Sequence, residues 1–208
     1  MAGHPIFARL YSRFAPAGDK AGAAAHRDEL LAGLEGRVIE VGAGSGLCFT
    51  HYPVTVSEVV AVEPEPHLRH LAEEATAAAP VPIRVVGGTA DRLPGDDGSF
   101  DAAVVSLVLC SVPDQRRALG ELHRVLRPGG QLRFYEHVRS ESPRQARLQD
   151  RVDWVWSLLL GGCHANRDTE SAVAEAGFRV ERCRSFDFRP CAIAAPASPH
   201  IIGEAIRP

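Results

Sequence analysis

Residues 38–46, "VIEVGAGSG", constrain the fold of this chain more than any other part of the sequence. They read as a buried strand that ends in three glycines at alternate positions, Gly42, Gly44 and Gly46. Glycine permits positive φ and has no Cβ, so a ligand can approach the backbone of such a turn closely. In open parallel sheets, ligands bind beyond the carboxyl ends of the strands. The stretch therefore predicts an α/β fold with a ligand site at the glycines, unless the glycines serve only to turn the chain.

Strand-like and helix-like patterns alternate from residue 37 onward, which is typical of parallel βαβ units. We predict strands at residues 37–41, 58–62, 83–86, 102–107, 131–137, 178–184 and 201–206. We predict helices at residues 6–14, 20–34, 64–79, 114–126 and 166–176, with Asp114 as an N-cap and Gly177 as a helix stop. The proline-rich residues 189–199 are predicted to form a loop.

The composition bounds the possible partners. A chain of 208 residues suffices for one α/β domain, and a net charge of −3 gives no electrostatic reason to expect nucleic acid or an anionic membrane. The five cysteines include no CxxC pair, which favours free thiols in a reducing cytoplasm and gives no case for zinc. The longest apolar candidate for a membrane span, residues 152–163, contains Asp153 and is too short. We therefore expect a cytoplasmic protein with no membrane anchor and no metal, and the oligomeric state stays open.

Glu63 ends the second predicted strand, where its carboxylate can accept hydrogen bonds from both hydroxyls of an adenosine ribose. NAD and S-adenosylmethionine both carry that ribose. The dinucleotide fingerprint GxGxxG would require a glycine at position 47, which is Leu47 here. The chain also lacks a second nucleotide-binding half. The residues favour S-adenosylmethionine, and an NAD-dependent dehydrogenase is the alternative.

Four segments carry a family resemblance: "VIEVGAGSG", "AVEPEP", "ADRLPGDDGSFDAAVVSLVLCSVPD" and "RVLRPGGQLRFYEHV". In order and spacing they resemble the class I S-adenosylmethionine-dependent methyltransferases. The resemblance implies a Rossmann-like fold with a seven-stranded, mostly parallel sheet, helices on both faces and an antiparallel last strand. It also implies a single methyltransferase domain over residues 1–208. That domain would comprise a helical cap at residues 1–36, a cofactor-binding core at 37–137, and substrate-side helices with the last two strands at 138–208.

The same resemblance implies which residues bind S-adenosyl-L-methionine and its product S-adenosyl-L-homocysteine. Glu40 and the glycine turn would meet the methionine part, Glu63 the ribose, and Asp91 the adenine amino group. The family often has Asp at the position of Thr89, so the adenine contact departs from the pattern. The implied cofactor-binding set is Tyr11, Glu40, Gly42, Ala43, Gly44, Gly46, Glu63, Pro64, Ala90, Asp91, Ser106 and Leu107.

Segments outside the cofactor motifs suggest the acceptor. "LVLCSVPDQ", "YEHV", "DWVW", "GGCHANRDTESAVAEAGF" and "PHIIGEAI" look like the thiol methyltransferases of the methyltransferase-like (Methyltransf_11) group. Those animal enzymes carry a hydrophobic N-terminal anchor that this sequence does not show. The resemblance implies methyl transfer to a small, hydrophobic acceptor, and a thiol is the first candidate. An O- or N-methyltransferase of a secondary metabolite and a non-enzymatic S-adenosylmethionine-binding protein are the alternatives.

A thiol acceptor with a pKa near 8.5 is only a few per cent thiolate at neutral pH, so a nearby base would help. His137 ends the fifth predicted strand and is the candidate base, with a structural histidine and catalysis by proximity alone as alternatives. Residues 139–151 are predicted to form a helix that leads into a cap over the site. The candidate substrate-side residues are Cys110, Trp154, Trp156 and His164, although Cys110 could be a buried structural thiol and His164 part of a helix-entry turn.

Overall fold

The computed structural model of this protein describes residues 5–190 and 192–208. A sheet of seven strands forms its centre, in the order β3-β2-β1-β4-β5-β7-β6. The strands are β1 (Gly36–Val41), β2 (Val56–Val62), β3 (Ile83–Val86), β4 (Phe100–Ser106), β5 (Leu126–His137), β6 (Arg179–Asp187) and β7 (Pro199–Ile206). The first five pair in parallel, and β7 runs antiparallel to both β5 and β6. The predicted Rossmann-like fold with an antiparallel last strand is confirmed.

The described residues form six α-helices: α1 (Pro5–Gly18) and α2 (Ala24–Leu31) before the first strand, then α3 (Pro66–Ala75), α4 (Gln115–Val125), α5 (Pro143–Leu159) and α6 (Thr169–Glu175) between strands. A π-helical turn, Asp19–Ala23, joins α1 to α2. Short 3-10 helices lie at Phe49–His51, Thr76–Ala78 and Ala192–Ala197.

Each face of the sheet has its own apolar core. Side chains alternate between the faces along a strand, so Val38 and Ile39 point to opposite sides. One core joins the sheet to the buried stripe of α4, including Leu119 and Leu122. The other joins it to α2 and α3 through residues such as Leu31. Helices therefore cover both faces, and the carboxyl ends of the parallel strands remain as the place for a site.

Side-chain caps set the observed helix starts. The predicted helix at 64–79 begins at Pro66, because the Glu65 carboxylate accepts a hydrogen bond from the backbone N–H of Leu68 at 2.8 Å. The predicted helix at 166–176 begins at Thr169, since Asp168 caps it in the same way. The predicted N-cap Asp114 is confirmed by its 2.9 Å bond from the N–H of Arg117.

Two other predicted segments differ from the structure. The predicted helix at 20–34 is interrupted at Gly22, whose φ of 120° lies outside the helical region. Residues 189–199, predicted as a loop, contain the 3-10 helix Ala192–Ala197, and Cys191 within them lies outside the described residues.

Helix α5 contains most of the segment predicted as a cap. Its last turn carries Leu158 and Leu159, which are 68% and 65% exposed. Within residues 5–190 and 192–208, no helix combines the length and apolarity that a membrane crossing requires.

Candidate functional site at the carboxyl ends of the parallel strands

The glycine turn after β1 is held by the end of β2. The N–H groups of Gly42 and Ala43 donate to the carbonyl of Val62, at 2.8 and 3.1 Å. The buried Glu63 carboxylate accepts the N–H of Gly44 at 2.8 Å with Oε2 and the N–H of Glu65 at 2.9 Å with Oε1. Each carboxylate oxygen has about two lone-pair positions, so each keeps one for a ligand hydroxyl. Glu63 therefore fits the ribose of an adenosine, and burial raises its pKa.

The glycines allow a close approach of side chains and ligand. A Cβ at Gly42, whose φ is +72°, would lie 2.5 Å from a methyl carbon of Val108. At Gly44, whose φ is +58°, a Cβ would lie 3.5 Å from the Tyr11 ring. The predicted Tyr11 thus lies over the turn, and burial raises its pKa to about 12. Val108 brings the segment after β4 against the same turn.

A buried cation lies beside the glycine turn. Arg27 on α2 pairs with Asp19 and is close enough to Tyr11 and Glu40 to perturb both pKa values. The Glu40 carboxylate accepts a hydrogen bond from the Tyr52 hydroxyl at 2.9 Å, and burial raises its pKa to about 7. A guanidinium here suits the carboxylate end of a methionine group.

Arg27 was not among the predicted site residues. The only signal was a charged residue on the stripe that carries Leu30, Leu31 and Leu34, where a core residue would be expected.

The adenine-side candidates lie at the outer end of the site. Asp91 has a half-exposed carboxylate whose pKa is lowered first by a hydrogen bond from Thr89. Ala90 packs against the apolar core, and Pro64 is exposed at the start of the segment after β2. The structure places these three residues beyond the carboxyl ends of the strands, and their contacts with a cofactor stay predictions.

The turn after β4 is fixed by one buried carboxylate. Glu136 accepts the backbone N–H groups of Val108, Leu109 and Cys110 at 3.0, 2.9 and 3.0 Å. Burial raises its pKa, and the three donors oppose that shift. Glu136 was not among the predicted site residues, although an acidic residue near the carboxyl end of a predicted strand was a signal.

Backbone strain marks the start of the same turn. Leu107, directly after Ser106 at the end of β4, has a φ of 59°, which side chains other than glycine rarely adopt. Its N–H donates to the carbonyl of Tyr135 at 2.7 Å. The predicted Ser106 and Leu107 thus lie where the chain turns toward the site.

A cluster of two sulfurs and one imidazole lies next to this turn. The Sγ atoms of Cys110 and Cys163 are 3.6 and 3.4 Å from Nδ1 of His137, and they are 3.8 Å from each other. The hydrogen bond between the sulfurs lowers the pKa of the Cys163 thiol and raises that of Cys110. The structure therefore brings the predicted Cys110 and His137 together with Cys163, which was not among the predicted site residues.

The geometry restricts the predicted base. Because Nδ1 of His137 faces the two sulfurs, only Nε2 is left to take a proton from an acceptor. The role of His137 as a general base stays a prediction.

The structure separates the other substrate-side candidates. Trp154 is 71% exposed, and its side chain is not part of the cluster. Trp156 points inward, and its buried Nε1–H has no hydrogen-bond partner of ordinary geometry but helps to lower the pKa of Cys163. The His164 imidazole contacts Asp153 at 2.8 Å and ties the Cys163 loop to α5. Of these three predicted residues, only Trp156 reaches the cluster with its side chain.

A cavity of about 520 Å³ opens behind the cluster. Its lining includes His200, whose ring centroid lies 4.5 Å from that of His137. Much of the remaining lining is charged, for example Arg139, Glu141 and Asp187. The expected hydrophobic acceptor pocket is therefore not this cavity.

Known proteins match the chain over most of its length. A family model described as a methyltransferase domain, Methyltransf_11, matches residues 39–134. Thiol S-methyltransferase TMT1B of Rattus norvegicus is 34% identical over 177 residues, 82% of this chain and 70% of that protein. Thiol S-methyltransferase TMT1A of Homo sapiens is 34% identical over 190 residues, 85% of this chain and 74% of that protein. A solved methyltransferase structure from Thermotoga maritima, described as S-adenosylmethionine-dependent, is similar at a TM-score of 0.71 and 23% identity, over 98% of each chain.

Proposed function

The chain belongs to the S-adenosylmethionine-dependent methyltransferases, and from this premise we propose that it methylates the sulfur of a small thiol. The observation that carries the proposal is the 34% identity to proteins named thiol S-methyltransferases over 82% and 85% of this chain. That match extends well beyond residues 39–134, the part that the family model covers. It therefore includes sequence outside the predicted cofactor-binding core.

The residues around the glycine turn have the chemistry that S-adenosylmethionine requires. When bound, the cofactor supplies an electrophilic methyl group on a sulfonium. Glu63 would accept the ribose hydroxyls, and Asp91 the adenine amino group. Arg27 and Tyr11 would hold the carboxylate end of the methionine part, with Glu40 behind them.

The acceptor side lies at the ends of β4 and β5. Glu136 fixes the turn from Val108 to Cys110, and Val108 packs against Gly42, so this turn and the glycine turn form one edge. A rigid edge serves methyl transfer, because nucleophile and methyl must be held in line at about 3–3.5 Å. Cys110, His137 and Cys163 lie at that edge and face an acceptor thiol that must lose its proton.

The proposal is tested with matched acceptors. The protein is incubated with S-adenosylmethionine and with thiol, alcohol and amine analogues of one alkyl and one aryl scaffold, and the methylated products are quantified by mass spectrometry. We expect the thiol of each scaffold to be methylated much faster than its alcohol or amine. Faster methylation of the alcohols or amines would overturn the thiol assignment. Tight cofactor binding with no methylated product would point instead to a protein that only binds the cofactor.

A further inference from the structure

Cys110, His137 and Cys163 bring three possible metal ligands together, two of them buried and His137 partly exposed. Their ligand atoms all lie within 4.8 Å of one another. Cys110 and Cys163 are 0% and 6% exposed, and His137 is partly exposed. A single Nδ1 atom carries either one proton or one lone pair, so it cannot make a full hydrogen bond with both sulfurs at once. A hydrogen-bonded network alone therefore leaves one contact unsatisfied.

A tetrahedral zinc ion satisfies all three contacts. Zn–S bonds of about 2.3 Å and Zn–N bonds of about 2.0–2.1 Å place two sulfurs about 3.8 Å apart and a sulfur and a nitrogen about 3.5 Å apart. The two sulfurs here are 3.8 Å apart, and the sulfur-to-nitrogen distances are 3.6 and 3.4 Å. All three distances agree with one metal position between the donors.

The backbone holds each donor in place before any metal binds. Cys110 follows β4 and donates its N–H to Glu136, and His137 ends β5. Cys163 reaches them through Gly162, where a Cβ would lie 2.9 Å from the carbonyl oxygen of Ser111. The N–H of His164 then donates to the carbonyl of Cys110 at 2.7 Å. Three separate elements thus converge on one point, as a preformed metal site requires.

The surroundings suit two metal-bound thiolates. The buried indole Nε1–H of Trp156, which lacks another partner, lies beside Cys163. The Ser111 hydroxyl is 3.5 Å from Sγ of Cys110. Such donors outside the ligand shell orient and stabilise zinc-bound sulfur. Two thiolates and one Zn²⁺ carry no net charge. Their burial therefore costs much less free energy than the burial of two thiolates without a metal.

We propose that Cys110, His137 and Cys163 bind a zinc ion whose fourth coordination position takes the sulfur of the acceptor thiol. Among the described residues, no other Cys, His, Asp or Glu joins the three donors, and three protein ligands with one open position are the pattern of catalytic zinc sites. A thiol that coordinates zinc loses its proton to solvent and binds as the thiolate, the form that can attack a methyl group. The metal, and not His137 as a base, would thus favour the deprotonated form of the acceptor thiol. The role of the fourth position rests on the proposed function, whereas the metal site itself does not.

The metal site is tested on the full chain without any acceptor. Protein produced with zinc is dialysed, its zinc content is measured by mass spectrometry, and cobalt replacement is followed by absorption. We expect one zinc ion per chain, and thiolate-to-cobalt charge-transfer bands with intense tetrahedral d–d bands. Cys110→Ser and Cys163→Ser should lose most of the metal, and Cys183→Ser on β6 should keep it. Binding of S-adenosylhomocysteine by calorimetry verifies that each variant is folded. Absence of metal from the folded parent protein, or retention by both serine variants, overturns the site.

The fourth position is tested by adding the acceptor to the cobalt protein. We expect an alkyl thiol to intensify the charge-transfer bands, and the matching alcohol to leave them unchanged. Unchanged bands with every thiol that the protein methylates would overturn coordination of the acceptor. Because metal content and spectrum are measured without turnover, a zinc protein that methylates no thiol would contradict the proposed function and leave the metal site standing. A protein that methylates thiols but contains no zinc would support the proposed function and overturn the metal site.

Discussion

The buried carboxylate of Glu136 accepts the backbone N–H of Cys110 at 3.0 Å. The same carboxylate accepts the N–H groups of Val108 and Leu109 with its other oxygen. One side chain of β5 therefore fixes the turn after β4, including Cys110. Since the carboxylate acts through the backbone, Glu136 is a positioning residue.

Replacement of that carboxylate by an amide should disorder the turn. In Glu136→Gln one oxygen can keep the N–H groups of Val108 and Leu109, but the amide NH₂ then faces the N–H of Cys110. We expect a loss of about 1–3 kcal/mol in the free energy of unfolding, measured in urea, because a buried donor loses its acceptor. Acceptor turnover should fall at least about tenfold. The dissociation constant of S-adenosylhomocysteine should change far less.

Glu181→Gln is the control for this variant, because Glu181 lies on β6 and pairs with Arg179 at an exposed site. It should leave turnover and stability near those of the parent protein. A Glu136→Gln variant with unaltered turnover would remove the positioning role.

The ribose role of Glu63 predicts a loss of cofactor affinity. Glu63→Ala removes the acceptor for ligand hydroxyls as well as the bonds from Gly44 and Glu65. We expect S-adenosylhomocysteine to bind more weakly by roughly 1.5–3 kcal/mol, the range for hydrogen bonds to a charged group. Calorimetry measures this loss. Glu58→Ala, on the strand that precedes Glu63 but paired with Arg37 away from the site, should bind normally. An equal effect of both substitutions would contradict a specific role.

Local patterns predicted the cofactor side of the site from the sequence. The glycine turn and Glu63 each follow a strand whose own residues predict it, and parallel strands bring such ends to one edge. The sulfur cluster is different, because Cys110 and Cys163 are 53 positions apart in the chain. Their meeting depends on the left-handed conformation of Gly161 and Gly162, whose φ values are 63° and 89°. No sequence spacing encodes that conformation, so the cysteines were interpreted as unrelated.

The raised pKa of Glu40 predicts a pH-dependent stability. The folded pKa is about 7 and the ordinary value is 4.5, so between these values the folded state binds more protons than the unfolded state. Stability should therefore fall as pH rises through this window, by up to roughly 3 kcal/mol, since each pKa unit corresponds to about 1.36 kcal/mol. The groups that face Glu40 and share this effect are Tyr52, Cys48, Arg27 and Glu63.

Glu40→Gln isolates that effect. The pKa of His200 is lowered by burial to about 3, so its titration changes stability in the opposite direction over part of the same window. For this reason the difference between parent and variant is the quantity to measure, by urea unfolding at several pH values between about 5 and 7. We expect the free energy of unfolding of the parent protein to fall relative to that of Glu40→Gln as pH rises. A constant difference would show that Glu40 ionises at its ordinary pKa.

Even a methyl group at position 42 should destabilise the glycine turn. In Gly42→Ala the new Cβ would lie 2.5 Å from Val108 at a φ of +72°. We expect a loss of more than about 1–2 kcal/mol in stability, because left-handed strain and overlap add together, and weaker binding of S-adenosylhomocysteine. Gly120→Ala is the matched control, since nothing lies within 4 Å of its Cβ in α4. It should be stabilising by roughly 0.5–1 kcal/mol. Thermal unfolding distinguishes the two.

The zinc site should depend on Gly162 as much as on its ligands. A Cβ at Gly162 would lie 2.9 Å from the carbonyl oxygen of Ser111, so Gly162→Ala must move the Cys163 loop away from Cys110. We expect the variant to lose bound zinc and acceptor turnover together. It should still bind S-adenosylhomocysteine, because the glycine turn and Glu63 are untouched.

Gly177→Ala separates this effect from backbone strain. Gly177 has a φ of +92°, close to the +89° of Gly162, but its Cβ would meet only the His123 side chain at 3.6 Å. Both substitutions therefore cost a similar left-handed strain of about 1–2 kcal/mol, and only one displaces Cys163. Zinc content and unfolding free energy are measured on both. If Gly177→Ala lost zinc to the same extent, general destabilisation would explain the result. Loss in Gly162→Ala alone would show that the approach of the Cys163 loop to Ser111 builds the site.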